Sequence, residues 1–163
     1  MRFCMCFLVL LFVLFVATPS TPAQGVRSGQ DPALIRDPDL ERDSQHNLEV
    51  ARNYFKLKKA YVAALVRLEE IIAGNPNFSK IEEVLLLAGQ SSLGLADGKG
   101  KQGREKYVTF DGGEKRTLTP EQFREMGRDY LSKLVHDYPN GPFTKQAQDA
   151  LQTVGGPLPK KEQ

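Results

Sequence analysis

Residues 64–76 read ALVRLEEIIAGNP, and 63 positions later residues 127–139 read GRDYLSKLVHDYP. Ala64, Leu68, Ile71, Ile72 and Pro76 return as Gly127, Leu131, Leu134, Val135 and Pro139. Each run has a small residue, an apolar stripe at helical spacing, and a proline that cannot continue the helix. A unit of this kind cannot bury its apolar face alone and must stack on a neighbour. The repeat therefore predicts stacked helices that offer a surface to partners.

Working outward, Ser44 reads as an N-cap, followed by Leu48, Ala51 and Phe55 on one face of a first helix. Tyr61, Ala64, Leu65, Leu68, Ile71 and Ile72 form the stripe of a second helix. The connection around Lys58 to Ala60 is so short that the two must run antiparallel. A third helix carries Ile81, Val84, Leu85, Ala88 and Leu95 inward and ends at Asp97-Gly98. Being apolar over much of its girth, it is expected to be central. Thr119, Pro120 and Gln122 spell the start of a fourth: N-cap, proline at the first helical position, and the glutamine of a capping box. Phe143, Ala147, Ala150, Leu151 and Val154 describe a short fifth, and residues 155–163 a tail expected to be disordered.

The ends bound the rest. Phe3 to Ala17 is an almost unbroken apolar run behind Arg2, with Thr21 and Ala23 placed as small residues before a cleavage point, so residues 1–23 read as a secretory signal. Both cysteines, Cys4 and Cys6, would leave with it, and positions 18–25 hold no cysteine for a lipid. Residues 24–43, rich in Gly, Pro and Ser, read as a flexible linker before a helical domain at 44–154. A net charge of +2 gives no basic excess to suggest nucleic acid.

Phe55, Tyr61, Ala64, Leu68, Ile71 and Pro76 resemble the offsets of the tetratricopeptide repeat. More narrowly, YPNGPFTKQAQDAL (138–151) and its partner NPNFSKIEEVLLLA (75–88) resemble the linker-and-helix of the BamD family of outer-membrane assembly lipoproteins. The resemblance implies an all-α, tetratricopeptide-like stack of about five antiparallel helices. It also implies an adaptor in the periplasm or at the periplasmic face of an outer membrane, with protein partners in the cell envelope. The outer-membrane assembly machinery is a candidate among those partners, and the whole family role is not implied.

Residues 98–118 interrupt the second repeat. Lys106 to Phe110, then Asp111-Gly112-Gly113, then Glu114 to Leu118 reads as a β-hairpin. Lys99, Lys101, Arg104, Lys106, Lys115 and Arg116 cluster around it. They make either a cationic finger for an anionic membrane or envelope polymer, or a loop that lysines keep soluble.

Reaction chemistry has no foothold. His46 and His136 lack partners at metal-ligand spacing, the pairs Glu69-Glu70 and Glu82-Glu83 read as solvated helix faces, and no nucleophile elbow occurs. A non-enzyme without cofactor is expected. In a repeat stack the first helix of each pair lines a groove, which selects His46, Glu49, Val50, Asn53, Lys56 and Leu57 as partner-binding residues. Asn53 matches the asparagine of a known carboxylate clamp, but Glu49 stands where its lysine belongs. Apolar edges at Leu86, Leu87 and the last helix are expected to drive docking or self-association.

Overall fold

Two copies of one backbone pattern lie 63 residues apart in the computed structural model, which describes residues 36–160. The Asn75 amide bonds the Ile71 carbonyl at 2.8 Å, and the Tyr138 amide bonds that of Leu134 at 2.9 Å. Phe78 and Ile81 donate to Asn75 and Phe78, as Gly141 and Thr144 donate to Tyr138 and Gly141. The segments closing on Pro76 and Pro139 are therefore the same turn, made twice. Ala64 is fully buried and Gly127 is buried too, as crossing residues must be.

The elements run α1 (Pro38–Arg52), α2 (Tyr61–Gly74), α3 (Ile81–Ala96), β1 (Val108–Asp111), β2 (Glu114–Thr117), α4 (Pro120–Asp137) and α5 (Thr144–Gln152). Among the described residues the fold is thus a five-helix, tetratricopeptide-like all-α stack with one two-stranded antiparallel sheet. All of these residues fall in one compact unit, Ala33–Gln163, which contains the whole hydrophobic cluster. That cluster is lined by Leu48, Leu65, Leu68, Val84, Leu85, Phe123, Leu131 and Leu134, all at zero exposure.

α3 is the central element, packed between α2 and α4 and touched by α5. It has no exposed residue. Leu86 and Leu87, expected at an open edge, are 3% and 5% exposed, and the apolar Ala147 and Leu151 of α5 face inward. The apolar edges invoked for self-association are already covered within this chain.

The first helix begins earlier than its apolar pattern. Asp37 is the N-cap, accepting from the Asp39 and Leu40 amides, with Pro38 in the first turn. Ser44 is instead buried in mid-helix, where its hydroxyl accepts from the Asn75 amide group at 3.2 Å. Residues 38–43 therefore belong to the helix rather than to a linker. Their turn is polar because it docks through charge on the Pro76 turn: Glu41 accepts from the Ser79 amide and hydroxyl, and Arg36 donates to the Asn77 carbonyl. A fork between Arg52 and Glu83, two bonds of 2.6 Å, ties α1 to α3. Glu83 holds the Arg52 guanidinium above its ordinary value.

The fourth helix starts as its letters specify, with both bonds of the Thr119–Gln122 capping box in place. The tail expected to be disordered is held against α4 as far as Leu158. Arg128 donates to the Gly155 and Gly156 carbonyls, and the Leu158 amide donates to the Ser132 hydroxyl at 2.8 Å. The segment 1–23 expected to be a secretory signal, the stretch 24–35 and residues 161–163 lie outside the described residues.

Candidate functional site

The expected groove residues lie on one face of α1 and of the turn that ends it. His46, Glu49, Asn53, Lys56 and Leu57 are exposed and Val50 is half-buried. They make a strip on a single helix. α3 adds Glu83 beside the strip, half-buried and bonded to Arg52 of α1. From Asn53 to Lys58 the helix widens into a π turn, a form common where function bends a helix. It closes on Lys59, whose φ of 51° is the left-handed conformation a lysine seldom adopts. Phe55 seals the inner side against Tyr61, ring centroids 5.3 Å apart. Leu57 is left 76% exposed on the outer side.

The insertion is an ordered strap that leads into a hairpin. After α3 the chain returns to the α1–α2 turn, where the Lys101 amide donates to the Lys59 carbonyl at 2.9 Å. Gly100 must be glycine: a Cβ there would lie 2.7 Å from that carbonyl and 2.8 Å from the Tyr61 ring, and its φ is +99°. Gln102 accepts from the Ala63 amide, satisfying an open donor in the first turn of α2. Arg104 donates to the Leu95 and Ala96 carbonyls at the end of α3, where the helix dipole favours a cation. The hairpin closes on Gly112 and Gly113, both at positive φ as a primed two-residue turn requires.

This order divides the six cations. Arg104 is engaged in capping α3. Lys99 pairs with Asp97 at 2.9 Å, and that contact, more than any other, lowers the Asp97 carboxyl. Lys115 and Arg116 sit opposite Phe110 and Thr109, and adjacent strand residues point to opposite faces. The six therefore do not form one cationic face. Lys101, Lys106, Lys115 and Arg116 remain exposed.

A carboxylate cluster that sequence reading places on a solvated face turns out to hold the strap down. Glu69 of α2 accepts from the Tyr107 hydroxyl at 2.8 Å and the Tyr130 hydroxyl at 3.0 Å. Tyr107, from the strap, is buried and meets Phe123 edge-on. Burial first, then the Glu69 charge beside them, pushes both phenols far above their usual range, so both stay donors at any physiological pH. Burial also raises the Glu69 carboxyl above its ordinary 4.5, against the lowering effect of the two hydroxyls.

A raised carboxyl binds its proton better in the folded state, so its contribution is fully present below pH 4.5 and declines as pH rises through the folded value. Glu69→Gln keeps an oxygen for both hydroxyls and removes that titration. Denaturation across pH is expected to show the variant gaining on the parent as pH rises, and at least matching it at neutral pH. A steep loss of stability at neutral pH would mean that the charge itself is required.

Among the described residues, no group of three or more His, Cys, Asp or Glu could hold a metal, and no helix is long and apolar enough to cross a membrane. A family model described as outer membrane lipoprotein, YfiO, matches residues 36–163. The chain belongs to this family of outer membrane lipoproteins. Membership puts it in the cell envelope, among proteins with envelope partners. No curated protein and no solved structure matches it.

Proposed function

We propose that this YfiO-family chain is a non-catalytic scaffold on the periplasmic side of the outer membrane, taking part in outer-membrane protein assembly by holding protein partners. The observation that carries the reading is the α1 strip. His46, Glu49, Val50 and Asn53 present mixed polar and apolar contact on a helix that the Arg52–Glu83 fork and the Pro76 turn hold in place. A fixed amphipathic strip is what a partner segment docks on without an ordering cost.

Photo-crosslinking in intact envelopes tests it. A photoreactive residue at Asn53 is expected to give discrete adducts with envelope proteins, while one at Glu70, on a different helix, gives none. Equal labelling from both positions would remove the strip as the docking face. Glu49→Arg with Asn53→Arg should then lower the content of folded β-barrel proteins in the outer membrane. Unchanged barrel content with the adduct lost would leave a scaffold and exclude the assembly role.

A further inference from the structure

The strap brings together two lysine runs that are 40 residues apart in the chain. Lys56, Lys58 and Lys59 flank Leu57 in the π turn, and the Lys101 amide rests on the Lys59 carbonyl. All four lysines are exposed, and no ion pair engages Lys56, Lys59 or Lys101 among the described residues. The Lys58 ammonium lies 5.0 Å from the Tyr54 ring centroid. Asp97, the acid at this end of α3, is held by Lys99 and Arg124.

We propose that this end of the molecule rests on the phosphate headgroups of a bilayer leaflet, with Leu57 as its apolar anchor. At 76% exposure Leu57 is the most exposed large apolar side chain described. Exposed Lys56, Lys58 and Lys59 adjoin it in the chain, and the Lys101 backbone is bonded to Lys59. Lysine stems reach along an apolar side chain while their ammonium groups stay at headgroup level, so the two chemistries engage one interface together. A cluster of lysines about one exposed apolar side chain favours a lipid surface, which offers phosphates and acyl chains together, over an acidic protein segment. Membership of an outer membrane lipoprotein family puts such a surface within reach of this chain. The inference rests on that envelope placement and leaves His46, Glu49, Val50 and Asn53 free for partners.

Vesicle flotation tests it, using residues 33–163, the unit that holds the complete core, with the full chain alongside. Binding to phosphatidylcholine vesicles that contain phosphatidylglycerol is expected, with little to phosphatidylcholine alone, and should fall with added salt. Lys56→Glu with Lys101→Glu should cut it about tenfold or more, and Leu57→Ser several-fold, with unchanged melting curves. Lys115→Glu with Arg116→Glu on the hairpin should leave it intact. No binding to anionic vesicles, or equal loss from the hairpin variant, overturns the proposal. So does a Lys56→Glu, Lys101→Glu variant that keeps vesicle binding but loses the Asn53 adduct, which would give the patch to an acidic protein. Loss of the adduct through Glu49→Arg and Asn53→Arg alone bears on the scaffold reading and not on this one.

Discussion

Thermal unfolding of a Gly127→Val variant is expected to show a large loss of stability. At the crossing of α3 and α4, glycine packs on glycine. A Cβ on Gly127 would lie 2.8 Å from Leu93 Cδ2 and 3.0 Å from the Gly89 carbonyl, and one on Gly89 would lie 2.5 Å from Leu131 Cγ. Leu93 is half-buried and could swing aside, but the Gly89 carbonyl is backbone and can retreat only if the helices separate. Overpacking of this kind costs roughly 3 kcal/mol or more, which for a domain of this size lowers the melting midpoint by about 10 °C. Leu93→Ala in the same background should return only part of the loss. Gly74→Ala, where a Cβ meets nothing within 4 Å, is the control and should be neutral or slightly stabilising. A Gly127→Val variant that melts with the parent would mean that the two helices do not meet there.

That crossing was legible in the letters because the repeat aligns Gly127 with Ala64, and a small residue in an apolar stripe has one common reason to be small. The Thr119-Pro120 start was legible for a similar reason: capping chemistry is local, and four residues contain all of it. The same grammar stands at Asp37-Pro38, but there no apolar stripe follows at once. The first turns of α1 are stabilised by Arg36 and Glu41 reaching the Pro76 turn about 40 residues away, which leaves no periodic trace. The insertion shows the sharper limit. Its hairpin could be read from Asp111-Gly112-Gly113 between β-formers. The role of Gln102 as a donor's partner in α2, of Arg104 as a cap on α3, and of Glu69 as the strap's anchor could not. Each is a contact between segments whose spacing carries no rule. The lysine end was hidden in the same way, since its halves become neighbours only when the strap folds back on Lys59.

Tyr107→Ala is expected to release the insertion while leaving the helices standing. A two-stranded hairpin with four-residue strands is marginal in water by itself, so its order comes from what it is fastened to. Tyr107, one residue before β1, is the buried side chain of that fastening. Its ring fills space against Phe123, centroids 5.4 Å apart, and its hydroxyl bonds both oxygens of Glu69. Truncating a buried aromatic costs about 3 kcal/mol, and here it also leaves a partly buried carboxylate with Tyr130 as its remaining hydroxyl donor. Tyr107→Phe keeps the ring and removes only the bond, at a cost of about 1 kcal/mol. Hydrogen exchange separates the cases. In Tyr107→Ala the hairpin amides from Val108 to Thr117 and the Lys101 amide should lose protection together, while those of α1 and α3 keep theirs. In Tyr107→Phe the hairpin should stay protected. If the alanine variant also keeps its hairpin amides protected, the strap is held by Gln102 and Arg104 instead, and Glu69 is then a spectator to it.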